Sequence, residues 1–185
     1  MVDLREFIHV YDDGLEPDVC EYLIAEFENN QNLHERVDND QKPSFTQFNI
    51  TENCKLNQQF EAVHNHLITK TFQLRNKYYE FVDKRVFPES HAFEQFRLKK
   101  YNNDGHDQFD VHVDVQDYAS ARRYLAFLWY LNDVQEGGDT VFKDFIVHPQ
   151  RGRVLIFPPL WMFPHKGEPP ISGPKYILSG YLHYK

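Results

Sequence analysis

Two hydrophobic periods divide the chain. Up to about residue 80, apolar positions recur every three or four residues. Residues 17–29 open on Pro17, a good first helical residue, and carry Val19, Leu23 and Phe27 on one face. From Asn53, a plausible cap, to about Tyr79, a second stripe runs through Leu56, Phe60, Val63, Leu67, Leu74 and Tyr78. Both stretches predict amphipathic helices. Residues 30–52 between them are polar, with Pro43 and several Asn, and predict either a surface excursion or a mobile lid.

Beyond residue 85 the period shortens. His91 to Tyr101, Phe109 to Asp114, Arg123 to Leu131, Thr140 to Phe145, Arg153 to Phe157 and Tyr176 to Tyr184 are short, aromatic or β-branched, and separated by turn residues. Asn102–Gly105, Asp133–Gly138 and Gly167–Pro174 are the clearest turns. Helices followed by evenly spaced strands predict a mainly β fold with flanking helices. Its core would be a double-stranded β-helix, jelly-roll or cupin-like. A chain of 185 residues suits one domain, with 1–85 as a helical N-terminal support and 86–185 as the jelly-roll core.

Composition narrows the function classes. The abundance of Phe (16) and Tyr (11) suits a tightly filled β interior. A net charge of −8 argues against nucleic acid as the main partner, and the cluster Arg97, Lys99, Lys100 reads as the solvated edge of a strand. Cys20 and Cys54 fall in the two helical segments, which favours a reducing compartment over a disulfide framework. The charged start Met1–Glu6 lacks a signal-peptide core, and no apolar stretch is long enough to span a bilayer. The expectation is a soluble, cytoplasmic protein without a membrane partner.

Candidate chemistry begins at Phe109-Asp110-Val111-His112-Val113-Asp114. Residues i and i+2 of a strand share a face, so His112 and Asp114 can present an imidazole and a carboxylate to one ion. With one more His, this set makes the facial triad of non-haem Fe(II) oxygenases, open on its other side. By itself the pair carries little, since chance supplies about one His-x-Asp in a chain of this composition. His165 follows the apolar run Val154–Phe157 and a Pro-rich turn, and Lys175 begins the last strand. A buried Lys there would pair a carboxylate stretched away from the metal, although a surface Lys is the commoner fate. The remaining histidines, His64, His66, His91, His106, His148 and His183, read as surface or satisfied residues.

At these residues the chain resembles the prolyl 4-hydroxylase-like branch of the Fe(II)/2-oxoglutarate oxygenases. The resemblance covers roughly residues 90–185, with a weaker echo in Val19–Ile24. Tyr101-Asn102-Asn103-Asp104-Gly105 leads to His112-Val113-Asp114. Arg123 precedes Tyr130-Leu131, Asn132-Asp133-Val134 and Gly137-Gly138-Asp139-Thr140-Val141-Phe142, and Pro149, Gly152 and Phe157 follow. His165, Pro169, Gly173 and Lys175 keep the family's closing spacing. The resemblance implies that His112, Asp114 and His165 are the catalytic iron ligands. Lys175 would bind 2-oxoglutarate, assisted by Tyr101 and Thr140, and Arg123 and Trp161 would lie near substrate. It implies Fe(II), 2-oxoglutarate and dioxygen as cofactors, with ascorbate as an optional addition. A family halogenase leaves the Asp position vacant for halide, so Asp114 implies hydroxylation. The structural alternatives are a core aromatic for Tyr101, a turn hydroxyl for Thr140 and a surface charge for Arg123.

The chain departs from the family pattern at Leu125-Ala126, at Tyr176, and at the bulky turn Trp161-Met162. These departures bear on substrate rather than on the metal. Three readings follow: a dioxygenase acting on a prolyl residue of a peptide or protein, the same chemistry on a free amino acid or another side chain, and a jelly-roll module that binds a metal without turnover.

Overall fold

The computed structural model describes residues 3–39 and 43–185. In chain order the elements are β1 (His9–Tyr11), α1 (Pro17–Asn29), β2 (Glu35–Asp38), β3 (Ser44–Asn49), α2 (Gln58–Tyr78), β4 (His91–Phe93), β5 (Arg97–Tyr101) and β6 (Phe109–His112). Then come β7 (Arg123–Tyr130), β8 (Thr140–Phe142), β9 (Phe145–Val147), β10 (Val154–Phe157), β11 (His165–Gly167) and β12 (Lys175–Tyr184). The larger sheet runs β1-β10-β7-β12-β5-β3-β2, with β4 also paired to β12, and the smaller runs β6-β11-β8-β9. The named strand pairs are antiparallel. The two sheets make the expected jelly-roll core.

Alternation along β12 shows how the layers stack. Tyr176, Leu178 and Leu182 join a core with Leu23 and Phe27 of α1 and Phe60, Leu67 and Leu74 of α2. Ile177 turns the other way, into a second core with Tyr101, Tyr130, Phe142, Leu155 and Phe157. The helices therefore cover one face of the large sheet, and the small sheet faces the other. Each fully buried Phe or Leu contributes roughly 1.5–3 kcal/mol, so the two cores hold the sheets at fixed spacing.

Helix α1 starts at Pro17 as predicted. Helix α2 starts four residues later than predicted. Asn57, with extended backbone, caps it by accepting from the Phe60 N–H at 2.8 Å. Asn53 instead closes a turn onto the Asn49 carbonyl, so Leu56 stays exposed and Cys54 lies in a turn.

Residues 30–52 are also corrected. Its middle carries the strand pair β2–β3, ten residues in all, which extends the large sheet through β5. Residues 40–42 of the proposed lid lie outside the described residues. Phe45, Phe48 and Ile50 are buried, while polar partners on the other positions hid the alternation. One of these ties is buried Asp107. Burial alone would raise its carboxyl, but Arg36 at 2.6 Å, the Asn102 N–H at 2.9 Å and Ser44 Oγ at 3.0 Å hold it below its ordinary value. This network fastens the loop before β6 to the β2–β3 wall. Residues 1–85 are thus not purely a helical support, because they also supply β1, β2 and β3.

Smaller departures share a cause, the weakness of very short strands as sequence signals. His91–Tyr101 breaks into β4 and β5, Thr140–Phe145 is the start of the β8–β9 hairpin, and β1 and β11 have three residues each. Among the described residues no helix is long and apolar enough to cross a membrane.

Gly180 marks the tightest contact of β12 with the helical side. A Cβ there would meet Phe96 Cδ1 and Cε1 at 2.9 Å, on a ring only 2% exposed. Gly180→Ala is expected to cost about 1–3 kcal/mol by overpacking. Chemical denaturation reads this as a lower midpoint at unchanged slope, and an unchanged midpoint would contradict the packing described.

Candidate metal centre and cosubstrate cavity

Strands β6 and β11 pair so that His112 stands directly opposite His165. Asp114 follows two residues after His112, just past the strand end. Its backbone is pinned there, because the Arg123 Nη1–H donates to the Asp114 carbonyl at 2.6 Å and Val115 N–H to Pro159 O at 3.1 Å. The three side chains are nearly buried.

Hydrogen bonding leaves each imidazole with a free nitrogen facing the same point. His112 Nδ1 lies 2.7 Å from Asp110 O and His165 Nδ1 3.1 Å from Phe163 O, so each Nδ1 carries the proton and each Nε2 a lone pair. His112 Nε2 is 3.6 Å from Asp114 Oδ1, and His165 Nε2 is 3.9 Å from Oδ2. The three ligand atoms lie within 4.8 Å of one another, and among the described residues they form the one group of His, Cys, Asp or Glu so placed. Phe109 stacks on His112 at a centroid distance of 3.4 Å, while Phe142 and Phe157 flank His165.

Asp114 Oδ1 accepts from Tyr181 Oη at 3.0 Å, but Oδ2 is buried with no partner. An unpaired buried carboxylate oxygen between two imidazole lone pairs is unstable without a cation. Burial alone would raise the Asp114 carboxyl, and hydrogen bonding and positive charge at the two imidazoles bring it down to about 2, a role that a bound cation takes over once the imidazoles are neutral ligands. The donor set, two neutral nitrogens and one carboxylate on one face, fits a ferrous ion.

A cavity leads inward from the triad to Lys175, past Tyr101, Thr140 and Ile177. Lys175 is 1% exposed. Its ammonium donates to Gly138 O at 2.8 Å and lies 4.6 Å above the Tyr101 ring, and among the described residues it has no salt bridge to a carboxylate. Burial pushes it down to about 7, opposed by Asp139 and Glu168. Close approach to Gly138 is needed, since a Cβ there would sit 3.3 Å from Lys175 Cδ and the backbone has φ +74°. Thr140 lines the cavity and accepts from Tyr130 Oη at 2.7 Å. A buried cation held only by carbonyls and a ring face has room in its partner set for a carboxylate.

The other two predicted residues lie outside the inner cavity. Arg123 lines the open cleft in front of the triad, but its guanidinium is engaged by Glu94 at 2.6 Å through both Nε and Nη2 and stacks 4.2 Å over Tyr181. It positions Asp114. Trp161 is 76% exposed on the turn after β10 and does not line the cleft or the cavity.

Four further residues belong to the site, of which Lys99 and His183 have other readings in the sequence and Tyr181 and Glu94 have none. Tyr181 holds Asp114, Glu94 joins Arg123 to His183 at 2.7 Å, and Lys99 lines both cavity and cleft. The two-residue period counted on from Lys175 through Ile177 and Ser179 reaches Tyr181 and His183, a signal present in the sequence. The reading of Arg97, Lys99 and Lys100 as a solvated edge is corrected. β5 lies inside the sheet between β12 and β3, and Lys100 pairs with Glu28 of α1 at 2.7 Å on the opposite face from Lys99.

Residues 96–183 match the model of the 2OG-Fe(II) oxygenase superfamily, a span that contains the triad, Tyr101, Thr140 and Lys175. Three solved structures share the fold. A viral collagen prolyl hydroxylase from Paramecium Bursaria Chlorella virus-1, solved with 2-oxoglutarate, has TM-score 0.70 at 20% identity, covering 97% of each chain. A prolyl 4-hydroxylase of Pseudomonas putida has TM-score 0.73 at 16% identity, covering 96% of this chain and 93% of its own. A Trichoplax adhaerens prolyl hydroxylase, in complex with a peptide fragment of the hypoxia-inducible factor oxygen degradation domain, has TM-score 0.75 at 13% identity, covering 96% and 84%. No curated protein matches the chain by sequence. Residues 96–183 thus carry a 2OG-Fe(II) oxygenase domain like those of 2-oxoglutarate-dependent dioxygenases, in a chain that is prolyl 4-hydroxylase-like in fold.

Tyr181→Phe removes the hydroxyl that orients Asp114. Loss of such an outer partner is expected to weaken Fe(II) binding by about 10- to 100-fold. Anaerobic competition against a metal indicator measures this, and wild-type affinity in the variant would remove Tyr181 from the metal site.

Proposed function

We propose that the protein hydroxylates a prolyl residue of a peptide or protein. The observation that carries the oxygenase part is one cavity with an unsatisfied Asp114 oxygen and two imidazole lone pairs at one end and an unpaired buried ammonium at the other. The fold shared with prolyl hydroxylases, one of them bound to a peptide, supports the prolyl part. So does the cleft, which is open along one side of the triad and can admit an extended chain.

His112, Asp114 and His165 would hold Fe(II), and the ammonium of Lys175 would receive the distal carboxylate of 2-oxoglutarate. When bound, the pair supplies oxidative decarboxylation of the keto acid to succinate and carbon dioxide, coupled to placing one atom of dioxygen in a C–H bond. The chain supplies position and environment. Nδ1–H bonds to Asp110 O and Phe163 O keep both imidazoles in the ligating tautomer. Leu128 and Ile177 make the cavity wall apolar, so water is kept from the keto acid. The chain Glu94–Arg123–Asp114 fixes the third ligand against the strand end.

The same chemistry on a free amino acid stays a second reading, because the cleft carries ionic groups as well as apolar ones. A non-catalytic metal module is disfavoured. Such a module has no use for a second buried cation facing the metal cavity.

Fe(II) and 2-oxoglutarate added without oxygen should give a weak visible charge-transfer band, abolished in His112→Ala. A wild-type protein without the band would leave only the metal-module reading. Lys175→Met should weaken 2-oxoglutarate by about 10- to 100-fold.

Linkage gives a further outcome. With Lys175 pushed down to about 7, part of the free protein holds a neutral amine near neutral pH. A bound carboxylate favours the ammonium, so binding takes up protons around neutral pH and weakens as pH rises further. Calorimetry in buffers of different ionisation enthalpy measures this uptake, and buffer-independent heats would contradict it.

A further inference from the structure

The face of β5 that carries Tyr101 also carries Lys99 and Arg97. Lys99 borders the inner cavity with the triad and Lys175, and it also borders the open cleft beyond them. It therefore stands where a substrate entering from the cleft meets the metal centre. Its ammonium lies 4.9 Å over the Phe45 ring, and among the described residues it has neither a hydrogen bond nor a carboxylate partner. Arg97, two residues outward, donates to Gln95 Oε1 at 2.8 Å and has no carboxylate either.

The acids of the cleft are otherwise committed. Glu94 is taken by Arg123 and His183, Asp114 belongs to the triad, and Asp117 accepts from Ser120. On a protein of net charge −8, the wall next to the reacting position thus holds two cations with no hydrogen-bonded protein anion, Lys99 meeting only the more distant charges of Asp114 and Glu94. Lys175 already provides for the distal carboxylate of the keto acid at the inner end, which leaves Lys99 to something arriving from outside. A partly dehydrated ammonium in that position is favourable only when an anion pairs with it.

We infer that Lys99, backed by Arg97, binds a carboxylate of the substrate, so that preferred substrates carry an acidic group beside the carbon to be hydroxylated. This rests on the oxygenase reading and narrows its substrate class. The carboxylate has two sources, an Asp or Glu side chain flanking the target residue in a peptide, or the α-carboxylate of a free amino acid.

The test uses the full chain loaded with Fe(II) and 2-oxoglutarate without oxygen. Calorimetry measures binding of matched probes: the blocked tripeptides Glu-Pro-Glu and Gln-Pro-Gln, and free L-proline against L-prolinamide. At least one acidic probe should bind about tenfold or more tightly than its neutral counterpart, since a hydrogen bond to a charged group is worth at least that factor. The same probe should stimulate succinate release once oxygen is admitted. Which pair shows the preference identifies the source. Lys99→Gln should erase the difference, and Arg97→Gln, farther from the triad, should reduce it while serving as the check if Lys99→Gln folds poorly.

Equal binding within both pairs, or no binding by either acidic probe, overturns the inference. So does Lys99→Gln weakening 2-oxoglutarate while leaving the acid-to-amide ratio intact, which would assign Lys99 to the cosubstrate. The two levels separate through the charge-transfer band. A missing band in the wild type sinks the oxygenase reading, whereas a normal band without acid preference sinks only the role of Lys99.

Discussion

The pairing of β6 with β11 is the constraint on which the site depends. It sets His112 opposite His165, and a slip of one residue would send one imidazole to the far face of the small sheet. Neither strand is long enough to fix that register alone. Neighbours supply it: β8 pairs the other edge of β11, with Phe142 opposite His165, and Phe109 stacks against His112. The large sheet then closes the site from above, bringing Tyr181 of β12 to Asp114. Because β12 also pairs with β5 and β7, the metal end and the Lys175 end are placed by one continuous strand. A strand rises about 3.3 Å per residue. The six residue steps from Lys175 to Tyr181 therefore set the spacing between the two ends of the cavity.

That placement has a stability cost that ligands relieve. The Asp114 oxygen and the Lys175 ammonium are polar groups moved out of water into an incomplete set of partners. A protein optimised only for folding would fill both places with apolar side chains. Here the deficits lie at opposite ends of one cavity and have opposite sign, which selects a ligand with a cation at one end and a carboxylate at the other. Cosubstrate and metal together meet that description. Anything that binds the folded state alone stabilises it, so the loaded enzyme is expected to be the more stable form.

Much of this was legible in the sequence, for identifiable reasons. The helices showed because Leu23 and Phe27, and Phe60, Leu67 and Leu74, repeat at a period that survives on one buried face. His112, Asp114, His165 and Lys175 showed through spacing and family resemblance, and the structure brings all four to one cavity. What stayed hidden were positions whose meaning depends on a neighbour distant in the chain. The strands β2 and β3 read as polar loop because their ionic partners, such as Asp107 for Arg36, come from about 70 residues downstream. Glu94 carries no signal of its own in the sequence, because Arg123 and His183 meet it only in the fold. Trp161 drew notice by its size, yet it faces solvent.

Lys99 shows the same limit in its sharpest form, and it also shows why net charge is a poor guide to a site. The overall balance of −8 describes the field far from the molecule, while binding is set by the few charges that share a low-dielectric concavity. Three consecutive residues of β5 illustrate how the fold distributes them. Lys100 points to the helical layer and is neutralised by Glu28, whereas Lys99 and Tyr101 point to the cavity. A run that looks like one basic patch is therefore split by the pleat into a structural half and a site-facing half. Because Lys99 and Lys175 sit on adjacent strands of the same sheet face, the cavity is flanked by a cation on each side of the triad's opening. The inner cation is enclosed and suits a cosubstrate of fixed length. The outer one opens on the cleft, so the same sheet face that would secure the keto acid would also discriminate among substrates.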